Sequence, residues 1–142
     1  MTTPRAVLLG IGRRGDGDDA LGPVFARAFR HPRWVGVDAA TAPENFGPLL
    51  RRLAPPLIAV LDAARMGLPP GTVRFLDPAS LDAAGFGTHA PDSVLLDGFL
   101  RIYAPRTLWI GIQPASLTPG TFLSPPVKAA LRSLPPLLPS DF

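Results

Sequence analysis

The sequence contains no cysteine and only two histidines, His31 and His89. Without a thiol there is no disulfide, zinc ribbon or cysteine nucleophile. A metal site has to lean on carboxylates, helped by at most two imidazoles. A Ser-His-Asp arrangement has to use one of the same two histidines. Long apolar runs are also missing, and nothing approaches the ~20 residues that a bilayer span requires. Ala6 to Leu9 follows a lone Arg5 and enters Gly10-Ile-Gly-Arg-Arg14 with no small-residue cleavage site. It is expected to be a first strand, not a signal peptide, and the cytoplasm is the expected compartment. Lysine occurs once, as Lys128, against thirteen arginines, and the net charge is only +3. These arginines are scattered, and Asp16, Asp18 and Asp19 interrupt the first group. A nucleic-acid stripe of clustered cations with interleaved aromatics is not what this pattern describes.

What is present is apolar and punctuated. Of 142 residues, 46% are hydrophobic and 18% charged, which excludes intrinsic disorder and fits one domain spanning 1–142. Nineteen prolines and fourteen glycines fall between the apolar runs. Strands are expected at Arg5–Gly12, Trp34–Asp38, Leu57–Leu61, Thr72–Leu76 and Thr107–Ile112. Helices are expected after Asp18-Asp19, with Leu21, Val24, Phe25 and Phe29 inward, and at Phe46–Leu53. Two more are expected at Ser93–Tyr103, with Val94, Leu95, Phe99 and Ile102 inward, and at Pro126–Leu134. Residues 135–142 read as a Pro-rich tail. Apolar strands alternating with helices predict an α/β fold with an open, mostly parallel sheet of about five strands, covered on both faces.

In such sheets ligands bind beyond the carboxyl ends of the strands. Asp16, Asp18 and Asp19 follow the first strand, Asp38 ends the second, Asp62 ends the third, and His89 lies in the longest loop. Each has a plain alternative: Asp18 or Asp19 as a helix cap, Asp62 as a turn residue, His89 as a loop histidine. His31, beside Pro32 at a helix end, carries no further role. The convergence of Asp19, Asp62 and His89 suits a divalent transition metal with positions left open for another molecule's ligands.

Gly10-Ile-Gly12-Arg-Arg-Gly15 also matches G-x-G-x-x-G, with Asp38 where a ribose-binding acid belongs. A non-catalytic nucleotide-binding module is therefore the alternative reading. Against it, Asp16-Gly-Asp-Asp19 stands between the glycines and the helix, so pyrophosphate would meet carboxylates instead of free N–H groups. A calcium loop starting at Asp16 fails because its twelfth position is Arg27. No serine sits in G-x-S-x-G.

The same residues carry a resemblance. Val7-Leu-Leu-Gly-Ile-Gly12, Gly17-Asp-Asp-Ala-Leu-Gly-Pro23, Val37-Asp38, Thr41-Ala-Pro-Glu-Asn45, Leu61-Asp62-Ala63, Met66-Gly67, Pro70-Gly-Thr-Val73, Thr88-His89 and Gly111-Ile-Gln-Pro114 follow one another in family order. The chain resembles the hydrogenase maturation endopeptidases, in particular the branch serving formate-hydrogenlyase-type nickel–iron hydrogenases. The resemblance implies a three-layer α/β/α sandwich that removes a C-terminal extension from a hydrogenase large-subunit precursor after nickel insertion. It implies Asp19, Asp62 and His89 as the catalytic and nickel-ligating residues, with nickel supplied by the precursor. The chain departs from the pattern at Arg13, where such enzymes usually carry Asn, at Gly15 in place of an apolar residue, and at Ala20 in place of Gly. A monomer is the expected state.

Overall fold

Ala6–Ile11 (β1) is buried at every position, as a strand covered on both faces must be. The structure, a computed structural model, describes residues 4–76 and 93–142. In it β1 is flanked by Trp34–Ala40 (β2) and Leu57–Ala63 (β3), both parallel to it. Val73–Leu76 (β4) and Arg106–Ile112 (β5) complete the sheet, in the order β2-β1-β3-β5-β4. β5 runs parallel to β3, and β4 lies antiparallel on its far side. The short link from β3 to β4 explains that reversal. A parallel return needs a crossover of a dozen or more residues, and only 64–72 separate the two strands. The chain passes from β1 to β2 on one side and then to β3 on the other, so the strand order switches between β1 and β3.

Leu21–Ala28 (α1) and Pro125–Ser133 (α4) cover one face of the sheet, where Leu8, Leu61, Ile110 and Val127 meet. On the other face, Val7, Val60, Leu100 and Trp109 form a second core beneath Gly47–Leu53 (α2) and Ser93–Leu100 (α3). This is the three-layer α/β/α arrangement. In α1, Leu21, Phe25 and the following Phe29 are inward as expected, but Val24 is half-exposed at the border of the stripe. Neither Asp18 nor Asp19 caps the helix. A 3-10 turn, Gly17–Ala20, precedes α1, and no side chain caps either element.

The expected inner face of α3 is wrong for three of its four residues. Val94, Leu95 and Ile102 are exposed and only Phe99 packs against the core. The buried positions are Ser93, Asp97 and Leu100. A polar network fixes this rotation. Asp97 Oδ1 accepts hydrogen bonds from Thr107 Oγ1 at 2.6 Å and Trp109 Nε1 at 2.9 Å, and Oδ2 accepts from Arg101 Nε at 2.8 Å. A buried carboxylate with these donors outweighs the apolar contacts that the hydrophobic pattern favours.

Burial alone would push the Asp97 carboxyl up, but the bonds from Thr107, Trp109 and Arg101 hold it below its ordinary value. The stabilisation is therefore complete above the unfolded value of about 3.9 and is lost as pH falls through the lower folded value. Asp97→Asn is expected to melt about 3–10 °C below the wild type at pH 7. Melting curves from pH 7 to pH 2 check this, and the gap should narrow only below the ordinary carboxylate range.

Residues 135–142 do not form a free tail. Pro135–Leu137 make a 3-10 turn, and Leu138 and Phe142 pack on the core. Trp34 Nε1 donates to the Pro139 carbonyl at 3.2 Å. The Arg33 guanidinium donates to the carbonyl oxygens of Ser140 and Phe142, both at 2.8 Å, and lies 4.5 Å from the centre of the Phe142 ring. Proline restricts the unfolded chain, so docking such a strap costs less entropy than a flexible tail would.

Candidate active site

At the end of β1 the backbone of Gly12 takes φ +149°, a conformation rare for other residues, and a side chain there would collide with the Asp19 carbonyl. Glycine is what lets the 3-10 turn settle on the strand end. Gly22 extends the same approach, since a Cβ on it would lie 2.5 Å from Leu61 O and 2.6 Å from Ile11 O. The start of α1 thus lies directly on the backbones of β1 and β3, at the point where the strand order switches.

The two adjacent acids of the turn diverge. Asp18 faces the loop after β5, where Oδ2 accepts from Ala115 N at 2.8 Å and Ser124 Oγ at 2.7 Å, and Oδ1 accepts from Ser124 N at 2.7 Å. Its carboxylate is consumed by structure. Asp19, fully buried, turns to the strand ends and accepts the Arg13 backbone N–H on Oδ2 at 2.8 Å.

Asp62, the penultimate residue of β3, is also buried. Burial pushes its carboxyl well above the usual carboxylate range, the neighbouring charge of Asp19 pushes it further, and the Ala63 N–H only partly opposes them. Two buried carboxylates in electrostatic contact favour a proton or a cation between them, since added positive charge removes their repulsion and offsets the cost of their desolvation. Hard oxygen donors fit a divalent metal. Among the described residues no group of three metal-ligating side chains forms. The pair supplies two donors, and His89, the third expected ligand, lies outside the described residues.

The other two acids near the strand ends, Asp38 and Asp16, are engaged elsewhere. Asp38 meets Arg14 at 3.0 Å and Arg27 at 3.9 Å and accepts the Ala40 N–H, while Asp16 lies 3.9 Å from Arg13. This weakens the nucleotide alternative, because the expected ribose acid already holds two arginines. Two of the three glycines of its motif are also taken up by packing: a Cβ on Gly10 would run into the backbone of Gly22 and one on Gly12 into the Asp19 carbonyl. His31 sits at the opposite end of the sheet, bridged to Trp34 where β2 begins beside Ala6. It cannot serve a serine near Asp19 and Asp62.

Gln113 has a role that residue-type patterns did not single out. Its Oε1 accepts the N–H groups of Met66 at 2.6 Å and Leu68 at 3.4 Å, fixing the loop that follows Asp62. Its backbone also exchanges hydrogen bonds with Gly71 and Thr72, at 2.8 and 2.9 Å, holding the start of β4. The available signal was a lone amide immediately after a buried strand.

Comparison with known proteins gives a consistent result. A family model described as hydrogenase maturation protease matches residues 24–137. The hydrogenase 3 maturation protease of Escherichia coli K12 is 33% identical over 133 residues, 90% of this chain and 85% of that protein. The solution structure of the endopeptidase HycI from Escherichia coli superimposes with a TM-score of 0.81 at 30% identity, covering 92% of this chain and 86% of that one. A nickel–iron hydrogenase maturation protease from Thermococcus kodakarensis shares the fold with a TM-score of 0.80 at 24% identity, over 94% and 89% of the two chains.

Proposed function

This chain belongs to the hydrogenase maturation proteases and is a hydrolase, an endopeptidase of hydrogenase maturation, and from that premise we infer that it removes the C-terminal extension of a nickel–iron hydrogenase large-subunit precursor once nickel has been inserted. The observation that carries the metal-gated reading is the buried pair Asp19 and Asp62, with the Asp62 carboxyl raised by burial and by its neighbour. Such a pair favours a partner that brings a positive charge, and in this reading the precursor brings it as bound nickel. His89 completes the ligand set.

The residues of this chain then have separable tasks. Asp19 is held by the Arg13 N–H, and Asp62 by the end of β3 and the loop that Gln113 fixes. Both present oxygen donors to the metal carried by the substrate. That contact holds the adjacent peptide bond in one place, which lowers the entropic part of the barrier. Metal in such a position polarises a carbonyl or lowers the pKa of water. No serine or thiol nucleophile is required. The protein acts as a cytoplasmic monomer in this reading. No helix among the described residues is long and apolar enough to cross a membrane.

The decisive experiment compares the intact mass of nickel-loaded and metal-free precursor after incubation with this protein. Loss of a C-terminal peptide from the loaded form alone is expected. Equal cutting of both forms would overturn the nickel gate. No cutting of a precursor that an established maturation protease does cut would overturn the substrate assignment.

A further inference from the structure

β4 is an edge strand whose outer side meets no other strand among the described residues. Which of its backbone groups face outward follows from the ladder. Gln113 donates to Thr72 O while its own carbonyl accepts from Gly71 N, a bulge with Gly71 at φ +88°, so the Thr72 carbonyl faces β5. In an antiparallel ladder the bonded pairs recur every second residue. Arg74 with Gly111 and Leu76 with Trp109 are therefore bonded too, and the N–H and C=O groups of Val73 and Phe75 point away from β5.

Natural edge strands are usually blunted by proline, by inward-pointing charge or by a covering element. Val73-Arg-Phe-Leu76 contains no proline, Phe75 is 40% exposed, and among the described residues the Arg74 guanidinium only grazes Val73 O at 3.3 Å. No carboxylate pairs with Arg74 among the described residues.

Register connects this edge to the active site. Asp62, Gly111 and Arg74 occupy one row across β3, β5 and β4. Because β4 is antiparallel, its first residue lies at the same end of the sheet as Asp62. A strand added outside β4 would sit about 14 Å from Asp62, three strand spacings, which roughly four extended residues can span.

We propose that the outer edge of β4 receives the C-terminal extension of the precursor as an added β-strand, beginning roughly four residues beyond the cut. The inference rests on the endopeptidase reading above. The extension is the appropriate occupant on chemical grounds. An endopeptidase needs its substrate extended, and any C-terminal extension ends in an α-carboxylate that complements the Arg74 cation, which meets no carboxylate among the described residues. Strand addition uses main-chain bonds, so it tolerates variation in the sequence of the segment that is discarded.

Phe75→Pro tests this, because it deletes one outward N–H and leaves the ladder to β5 intact, and proline is accepted on sheet edges. Cleavage kinetics on the nickel-loaded precursor should show KM raised about three- to tenfold, the range for one lost hydrogen bond, with kcat retained. Phe75→Ala, which keeps the N–H, should have a smaller effect, and Arg74→Glu should raise KM as well. With a precursor whose extension is cut to three residues, wild type and Phe75→Pro should become indistinguishable. A folded Phe75→Pro protein with wild-type KM on the full precursor would overturn the proposal while leaving the endopeptidase reading intact. A wild-type protein that cuts no precursor would overturn that reading itself. If Phe75→Pro does not fold, N-methylation scanned along a synthetic extension ligated to the precursor replaces it. A KM penalty at alternate positions supports strand addition, and a penalty at none excludes it.

Discussion

Asp62→Asn is expected to lose cleavage by at least about a thousandfold while melting no lower than the wild type. The carboxylate is buried beside Asp19, and its charge is disfavoured by desolvation first and by that neighbour second. For a carboxyl whose folded value is raised, folding carries no penalty below the unfolded value of about 3.9, and the penalty grows as pH rises through the folded one. At pH 7 the amide removes that penalty and keeps the shape. What the amide cannot supply is an anionic donor. Intact-mass kinetics and thermal melts on the same preparations check both halves, with the gap in melting temperature shrinking towards pH 4. Activity within tenfold of wild type would remove Asp62 from the site. A clear fall in melting temperature would show that its charge is compensated.

Asp18→Ala is expected to do the reverse, destabilising the fold through a residue one position from the site. Three backbone N–H groups, of Ala115, Ser116 and Ser124, and the Ser124 hydroxyl converge on its carboxylate. Removing a buried acceptor strands those donors, a cost of about 3–5 kcal/mol. For a chain of this size that corresponds to roughly 10–15 °C in melting temperature. Thermal and urea unfolding measure it directly, and a shift below 3 °C would refute the structural role. Asp18→Asn should fall between, since one amide oxygen still accepts.

The sheet was legible because each strand is a short apolar run with its own turn residues, and buried parallel strands need little else. The carboxylates after the strands were legible for a topological reason, since chain order places Asp19 and Asp62 at the same end of a parallel sheet. Their division of labour was not. Asp18 and Asp19 are chemically identical, and only the 3-10 turn sends one into the β5–α4 loop and the other towards Asp62. The rotation of α3 was hidden because Asp97 looks like a solvent-facing acid until Trp109, Thr107 and Arg101 are placed around it. The C-terminal strap was hidden similarly, since its anchors Arg33 and Trp34 lie more than a hundred positions away.

The bonds made by Asp18 bear on when the acid pair takes its geometry. They join residues separated by 97 to 106 positions along the chain. Backbone bonds reinforce them, from Asp18 N to Ser116 O, Gly17 N to Thr121 O, and Gly120 N to Gly15 O. Contacts of such separation close late in folding, after local elements and nearer pairings have formed. The turn that aims Asp19 is thus locked only when the stretch between β5 and α4 arrives. A nascent chain that has emerged as far as β3 already carries both acids, yet it lacks the clamp that sets them against each other. The geometry of the acid pair is in this way completed only at the end of the chain's own folding.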